Sequence, residues 1–152
     1  MAANNTANVS FGKGVAGGYM WVAPSGTTLP TDYTTPMSEV ASSAYQNVGY
    51  LGEDGIVISD SFDQTTASDM NGDAVATAPG AVEKSFTVTP IEVNKTALGL
   101  VFGDSNVTDA TGKLTAHDKG PTTQTKVAVF DLLLKDDRPL RLVAPLCNLG
   151  EL

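Results

Sequence analysis

The chain has one cysteine, Cys147, and one histidine, His117, in 152 residues. A single thiol excludes an intramolecular disulfide and any cysteine-based zinc site, and is expected of a protein made in a reducing cytoplasm. No apolar run approaches the ~18 residues that cross a bilayer. The start, Met1-Ala-Ala-Asn-Asn-Thr-Ala-Asn, lacks the basic and apolar regions of a signal peptide. Charged residues make up only 17% of the chain, against the roughly 25% usual in a free-standing domain. Part of the surface is therefore expected to be covered by other protein.

Positive charge is missing from a whole half. Between Lys13 and Lys84 there is no base at all. Up to Glu83 the chain carries nine carboxylates: Asp32, Glu39, Glu53, Asp54, Asp60, Asp63, Asp69, Asp73 and Glu83. From Lys84 onward acids and bases balance, so the net charge of -8 belongs to the first half. A pI near 4.3 argues against wrapping nucleic acid, because that affinity comes from Lys and Arg neutralising phosphates. The bland reading of such acids is a solvated face. The unbroken asymmetry points further, to a surface that must not hold nucleic acid and to an assembly in which unlike faces meet.

A length of 152 residues suits one domain with a real core. Residues 1–17 read as a flexible arm. Gly18–Pro24 reads as a strand closed by a Pro-Ser-Gly turn. Thr27–Tyr45 reads as an irregular loop with a helical turn near Ser38–Ala44. Val48–Leu51 and Gly55–Phe62 read as strands around a turn at Gly52–Gly55. In the second, Ile56, Ile58 and Phe62 share one face, interrupted by Asp60. Met70-Asn-Gly72 is a turn signal. Ala81–Thr89 alternates again, with Val82, Phe86 and Val88 on one side.

Thr89-Pro-Ile-Glu92 has the form of a capping box with proline at the first helical position. It predicts a helix that carries Ile91, Leu98 and Val101 and stops at Gly103. Gly99 inside it is expected to mark close packing on a sheet. Asp104–Thr123 reads as a loop, Thr125–Leu134 as an apolar strand, Lys135–Pro139 as a turn and Leu140–Pro145 as the last strand. About seven short strands and one helix predict a mainly β fold: an antiparallel β-sandwich or half-barrel with one flanking α-helix.

Several motifs look chemical and read better as structure. Gly12-Lys-Gly14-Val-Ala-Gly17 matches G-x-G-x-x-G, but no strand precedes it and a strand follows it, so a joint fits better than a dinucleotide site. Asp69-Met-Asn71-Gly-Asp73 alternates oxygen ligands as calcium loops do, yet lacks the glycine after the third ligand and the distal glutamate, and reads as a turn. Four Asn-x-Ser/Thr triplets carry no weight without a secretory signal. His117-Asp118 sits in a polar loop with no nucleophile beside it. Cys147 reads as a small buried apolar group. Tyr19, Trp21 and Tyr50 could stack on sugars or bases, but packing in a core or between subunits is the commoner role. No cofactor or metal is expected, and no catalytic constellation emerges.

Four segments in order carry a resemblance. The first is Gly12-Lys-Gly14 leading into Gly17-Gly-Tyr-Met-Trp-Val-Ala-Pro-Ser-Gly-Thr-Thr-Leu-Pro-Thr-Asp32. The second is Val48-Gly-Tyr-Leu-Gly-Glu-Asp-Gly-Ile-Val57. The third is Ser85-Phe-Thr-Val-Thr-Pro-Ile-Glu-Val-Asn94 with Leu98-Gly-Leu-Val-Phe-Gly103. The fourth runs from Val129-Phe-Asp-Leu to Arg138-Pro-Leu-Arg-Leu-Val-Ala-Pro145. Over residues 10–152 the chain resembles the major tail tube proteins of long-tailed, non-contractile bacteriophages. In that family the chain usually continues past the strand that matches Leu140–Pro145. Here it stops at Leu152, as a short variant or a truncated chain, and a truncated sheet would have an open edge.

The resemblance implies a virion protein of the tail, assembled in the host cytoplasm. Its subunits close into hexameric rings that stack into a tube whose inner wall is a continuous β-barrel. Phage DNA is ejected through it without specific binding. Partners are other copies, the tape measure protein and the tail terminator, with no membrane. Asp60, Asp63, Asp69 and Asp73 are the candidates for the lumen or an inter-ring hairpin. Lys126, Arg138 and Arg141 are those for pairing between subunits. Residues 1–17 and Gly52–Gly80 are the expected inter-ring contacts. The alternatives are a tail terminator, a head or tail decoration β-sandwich that could bind sugar, or a tube relative from a contractile or type VI system.

Overall fold

The computed structural model describes residues 12–32, 34–40, 44–120 and 124–149. The strands are β1 (Lys13–Gly14), β2 (Met20–Pro24), β3 (Gln46–Asn47), β4 (Leu51–Ser68), β5 (Ala74–Pro90), β6 (Val107–Ala110), β7 (Lys113–Ala116), β8 (Thr125–Leu133) and β9 (Pro139–Asn148). One α-helix, α1, spans Lys95–Phe102. The fold is mainly β and every recorded strand pair is antiparallel, as the sequence predicts. The chain divides into two compact units, Leu51–Thr89 and the remainder.

The larger unit is organised by β8. It pairs with β9 along one edge, and with β2 and the short β1 along the other, while β3 extends the sheet beyond β2. Apart from Lys126 and Asp131, the sequence Thr125-Lys-Val-Ala-Val-Phe-Asp-Leu-Leu133 is mostly apolar on both faces, as suits a strand covered on both sides. Val127 and Val129 pack with Ala23, Met37 and Tyr45. By alternation Ala128 and Phe130 lie on the other face, opposite their cross-strand partners Val22 and Met20. Phe130 and Val129 are fully buried. Lys13–Gly14, expected to belong to an arm, pair with Leu132 and Leu133 of β8. Residues 1–11 of that expected arm lie outside the described residues.

A buried charge pair fastens the Thr27–Tyr45 segment to the sheet. Asp131 and Arg141 face each other across β8 and β9. Arg141 Nε donates to Asp131 Oδ1 at 2.6 Å and Nη2 to Oδ2 at 2.7 Å. The same guanidinium donates to the carbonyls of Asp32 and Thr35. Asp131 Oδ2 also accepts the Met37 N–H at 3.1 Å. The expected helical turn appears one step earlier, as a 3-10 turn over Met37–Glu39; residues 41–43 lie outside the described residues.

The helix begins later than its capping box predicts. β5 runs on to Pro90, and the residue before a proline favours extended backbone. Glu92 does not reach back to Thr89; its Oε2 accepts the Tyr50 N–H at 3.1 Å. Asn94 is the cap instead, with Oδ1 accepting the Ala97 N–H at 2.8 Å and Nδ2 donating to the Val48 carbonyl at 2.9 Å. The stop at Gly103 is as predicted, at φ 91°. Gly99 packs not on a sheet but on a carboxylate: a Cβ there would lie 2.6 Å from Asp104 Oδ1. The segment read as a loop holds a second hairpin, β6–β7, turned by Thr111 and Gly112 at φ 56° and 71°. Two consecutive left-handed residues are what a tight hairpin turn requires.

The smaller unit is a two-stranded ribbon, β4 with β5. The two strands predicted around Gly52–Gly55 are not separated by a turn. Gly55 absorbs the irregularity at φ 65° and β4 continues through it for 18 residues. At ~3.3 Å per residue the ribbon is about 60 Å long. At Gly80 a Cβ would lie 2.9 Å from the Asp63 carbonyl oxygen, so the two backbones approach there closely enough to demand glycine.

Candidate functional site

The ribbon is the unusual part of the molecule. It carries Glu53, Asp54, Asp60, Asp63, Asp69, Asp73 and Glu83 against the single base Lys84. Its side chains are exposed almost throughout, the apolar ones included: Ile58 is 54% exposed, Val82 57% and Phe62 64%. An isolated two-stranded hairpin is marginal at best in water. Apolar rows on such an element are therefore a surface built to be covered.

Alternation sorts the ribbon into two faces. Ile56, Ile58, Asp60 and Phe62 share one side of β4, and Val82, Lys84, Phe86 and Val88 one side of β5. Lys84 Nζ stands 3.2 Å from Asp60 Oδ2. That contact puts the two rows on the same face. The other face then carries Val57, Ser59, Ser61 and Asp63 from β4 with Glu83, Ser85 and Thr87 from β5: mostly small and polar, with two acids and no base. The Asp60–Lys84 pair is exposed on both sides, 61% and 65%, and such pairs contribute at most about 1 kcal/mol.

The four acidic candidates occupy three distinct places. Asp60 lies among the apolar residues and is paired. Asp63 is on the opposite face, with Oδ1 accepting the Gln64 N–H. Asp69 and Asp73 form the tip. There Asp69 Oδ1 accepts the N–H groups of Asn71 and Asp73 at 2.8 and 2.9 Å. Those hydrogen bonds, that from Asp73 foremost, hold the Asp69 carboxyl below its ordinary pKa. Its oxygens shape the turn, which is the role the Met70-Asn-Gly72 signal implies.

The basic candidates separate too. Arg141 is spent within its own chain, with a side chain only 3% exposed. Lys126 is 9% exposed and pairs with Asp104 beside α1. Arg138, in the turn before β9, is exposed. The Asp131–Arg141 clamp was legible only in part: a turn centred near Asp136 sets residue 131 against residue 141, which are opposite charges.

Other chemical candidates resolve into structure. His117 donates its backbone N–H to Asn106, and Asp118 Oδ1 accepts from Gly120. Burial raises the Cys147 thiol pKa, which keeps it protonated and unreactive. A groove of about 520 Å³ is floored by glycines and edged by Tyr19 and Tyr50, whose rings meet edge to face at 5.9 Å. Its polar groups are already used: Asn47 bonds Gly17 and Gly49, and Glu92 bonds Tyr50 and Asn94. Among the described residues no three His, Cys, Asp or Glu side chains gather as a metal site.

A family model described as phage tail tube protein matches residues 1–148. The chain belongs to that family. No curated protein matches it, and no solved structure does. As a tail tube protein it is a structural component of the virion tail and not an enzyme, and it assembles with copies of itself into a tube.

Proposed function

We propose that this tail tube protein is the repeating subunit of a long, non-contractile phage tail. Copies close into hexameric rings, and the rings stack into the conduit through which DNA is ejected. The observation that carries this reading is the ribbon: an element too exposed to stand alone, mainly apolar on one face and mainly polar on the other, where Asp63 and Glu83 lie. Covering half of each of Ile58, Phe62 and Val82 is worth about 2–5 kcal/mol per copy, at roughly 1.5–3 kcal/mol for a fully buried apolar side chain. The polar face, with Asp63 and Glu83, is then left for the bore. Carboxylates there repel phosphates, so DNA slides without being trapped. Asp69 and Asp73, at the ribbon's tip, are placed for contact with the next ring. Assembly in the host cytoplasm around a tape measure protein, with a terminator closing the end, completes the proposal.

Electron microscopy of the purified chain is the direct test. Long tubes support the subunit role. Single rings that never stack assign it to a terminator, and monodisperse particles under all salt conditions refute it. Substituting Asp63 by Lys should slow DNA release from otherwise intact particles; unchanged ejection removes the acids from the bore.

A further inference from the structure

The tip of the ribbon holds a reactive pair. Asn71 is followed by Gly72, and every other asparagine in the chain precedes a residue with a side chain. Both residues are exposed, and a Cβ built on Gly72 would meet nothing within 4 Å. An asparagine before glycine is the one most open to attack by its own backbone, because no side chain shields or stiffens the nitrogen that follows it. Asn47, Asn94, Asn106 and Asn148 precede Val48, Lys95, Val107 and Leu149, which shield theirs.

Both reacting groups at the tip are tied to Asp69. The Gly72 N–H, whose nitrogen is the nucleophile, donates to the Asp69 carbonyl at 3.1 Å. Asn71 Nδ2, the leaving group, stands 3.5 Å from Asp69 Oδ2. Asp69 Oδ1 accepts the N–H groups of Asn71 and Asp73, and the Asp69 N–H donates to the Asp73 carbonyl at 2.9 Å. Gly72 sits at φ 89°, the left-handed position that completes a short hairpin loop. Before the Gly72 nitrogen can turn on the Asn71 side chain, its N–H must leave the Asp69 carbonyl and the turn must open. The Asp69 carboxylate also opposes the negative charge that the nitrogen gains as it loses its proton.

We propose that Asn71 is a site of spontaneous modification, and that Asp69 is the positioning residue that holds it in check. The Gly72 nitrogen bonds to the Asn71 side-chain carbonyl carbon and gives up its proton. The bond from that carbon to Nδ2 breaks, and ammonia leaves. Water then opens the cyclic imide on either side, giving aspartate or isoaspartate; nothing is oxidised or reduced. Either product sets a new carboxylate between Asp69 and Asp73, and isoaspartate also lengthens the backbone inside the turn. The site goes beyond the tube reading and does not depend on it.

The test is peptide mapping by mass spectrometry on the full chain, kept dilute and unassembled in warm, neutral buffer. The wild type should convert at Asn71 ahead of every other asparagine. Asp69→Ala should convert about 10-fold faster, the ratio expected when hydrogen bonds of ordinary strength are lost. Asp69→Asn keeps an acceptor oxygen for the Asn71 and Asp73 N–H groups and should stay near the wild-type rate. Gly80→Ala disturbs the ribbon away from its tip and should convert well below the Asp69→Ala rate. Equal rates in the wild type and Asp69→Ala, or no conversion in either, overturn the proposal. So does a Gly80→Ala rate that matches Asp69→Ala, because general loosening of the ribbon would then set the chemistry.

Discussion

Removing either partner of the Asp131–Arg141 pair should be among the most damaging single changes available in this chain. The side chains are 6% and 3% exposed. In Asp131→Leu the guanidinium loses both carboxylate bonds, and the Met37 N–H loses its acceptor. In Arg141→Leu the Asp131 carboxylate keeps only the Met37 N–H, while the Asp32 and Thr35 carbonyls lose theirs. Breaking a buried pair from one side costs about 3–5 kcal/mol. In a domain of this size each kcal/mol lowers Tm by roughly 2–4 °C, which gives a drop of about 6–20 °C. The double variant, with Asp131 and Arg141 both changed to Leu, leaves no buried charge. It should lose only about 1–3 kcal/mol, for the Met37 N–H and the Asp32 and Thr35 carbonyls left without these partners. The double-mutant cycle then returns a coupling of about 3 kcal/mol or more. Urea unfolding followed by circular dichroism on dilute, unassembled protein measures all four corners. Single losses below about 1 kcal/mol, or additive effects, would refute the reasoning that this pair fastens the Asp32–Met37 segment to the sheet.

Asn94→Ala removes the cap on α1 and the bond to Val48, and should destabilise by about 1–2 kcal/mol in the same unfolding assay. Gly80→Ala drives a Cβ into the Asp63 carbonyl and should cost about 1–3 kcal/mol, seen as faster amide exchange confined to the ribbon. Asp32 and Asp69 both titrate below the ordinary aspartate value of about 3.9. For Asp32 the Thr35 hydroxyl is the chief cause, followed by the Thr34 N–H and hydroxyl. A depressed carboxyl stabilises the fold above its unfolded pKa, and that contribution is lost as pH falls through the folded one. Both turns should therefore persist when ordinary carboxyls are already protonated, a point that carboxyl-carbon NMR titration checks directly.

Much of the main sheet was legible because its strands carry their own burial pattern. Thr125–Leu134 differs by one residue from β8, and Gly18–Pro24 contains β2. The misreadings have local causes. Gly52 and Gly55 look like turn residues, but in the ribbon Gly55 takes a left-handed kink without reversing the chain. Thr89 and Glu92 spell a capping box, yet Tyr50 claims the glutamate from a distant part of the sequence. The β6–β7 hairpin hid because its turn is Thr-Gly and its strands have only four residues each. Among the site residues, the acids could be found by charge alone. Their division between an apolar face, a polar face and a tip needed the Asp60–Lys84 contact. Composition cannot distinguish Arg141, closed inside its chain, from Arg138 on the surface, since that depends on which base falls opposite Asp131.

The dependence of the sheet on β8 has a consequence for how the chain is made. Met20 pairs with Phe130 and Lys13 with Leu133, separations on the order of 100 residues, the kind of non-local pairing that forms late. During synthesis the ribbon is complete at Pro90, well before β8 exists to organise the sheet. For that interval the ribbon stands without the sheet, with Ile58 and Phe62 exposed. Flanking charges are the usual protection against premature strand addition. The run of acids from Glu53 to Glu83, with no base before Lys84, is therefore expected to act as a gatekeeper on the growing chain. It holds copies apart by mutual repulsion until the rest of the subunit has folded.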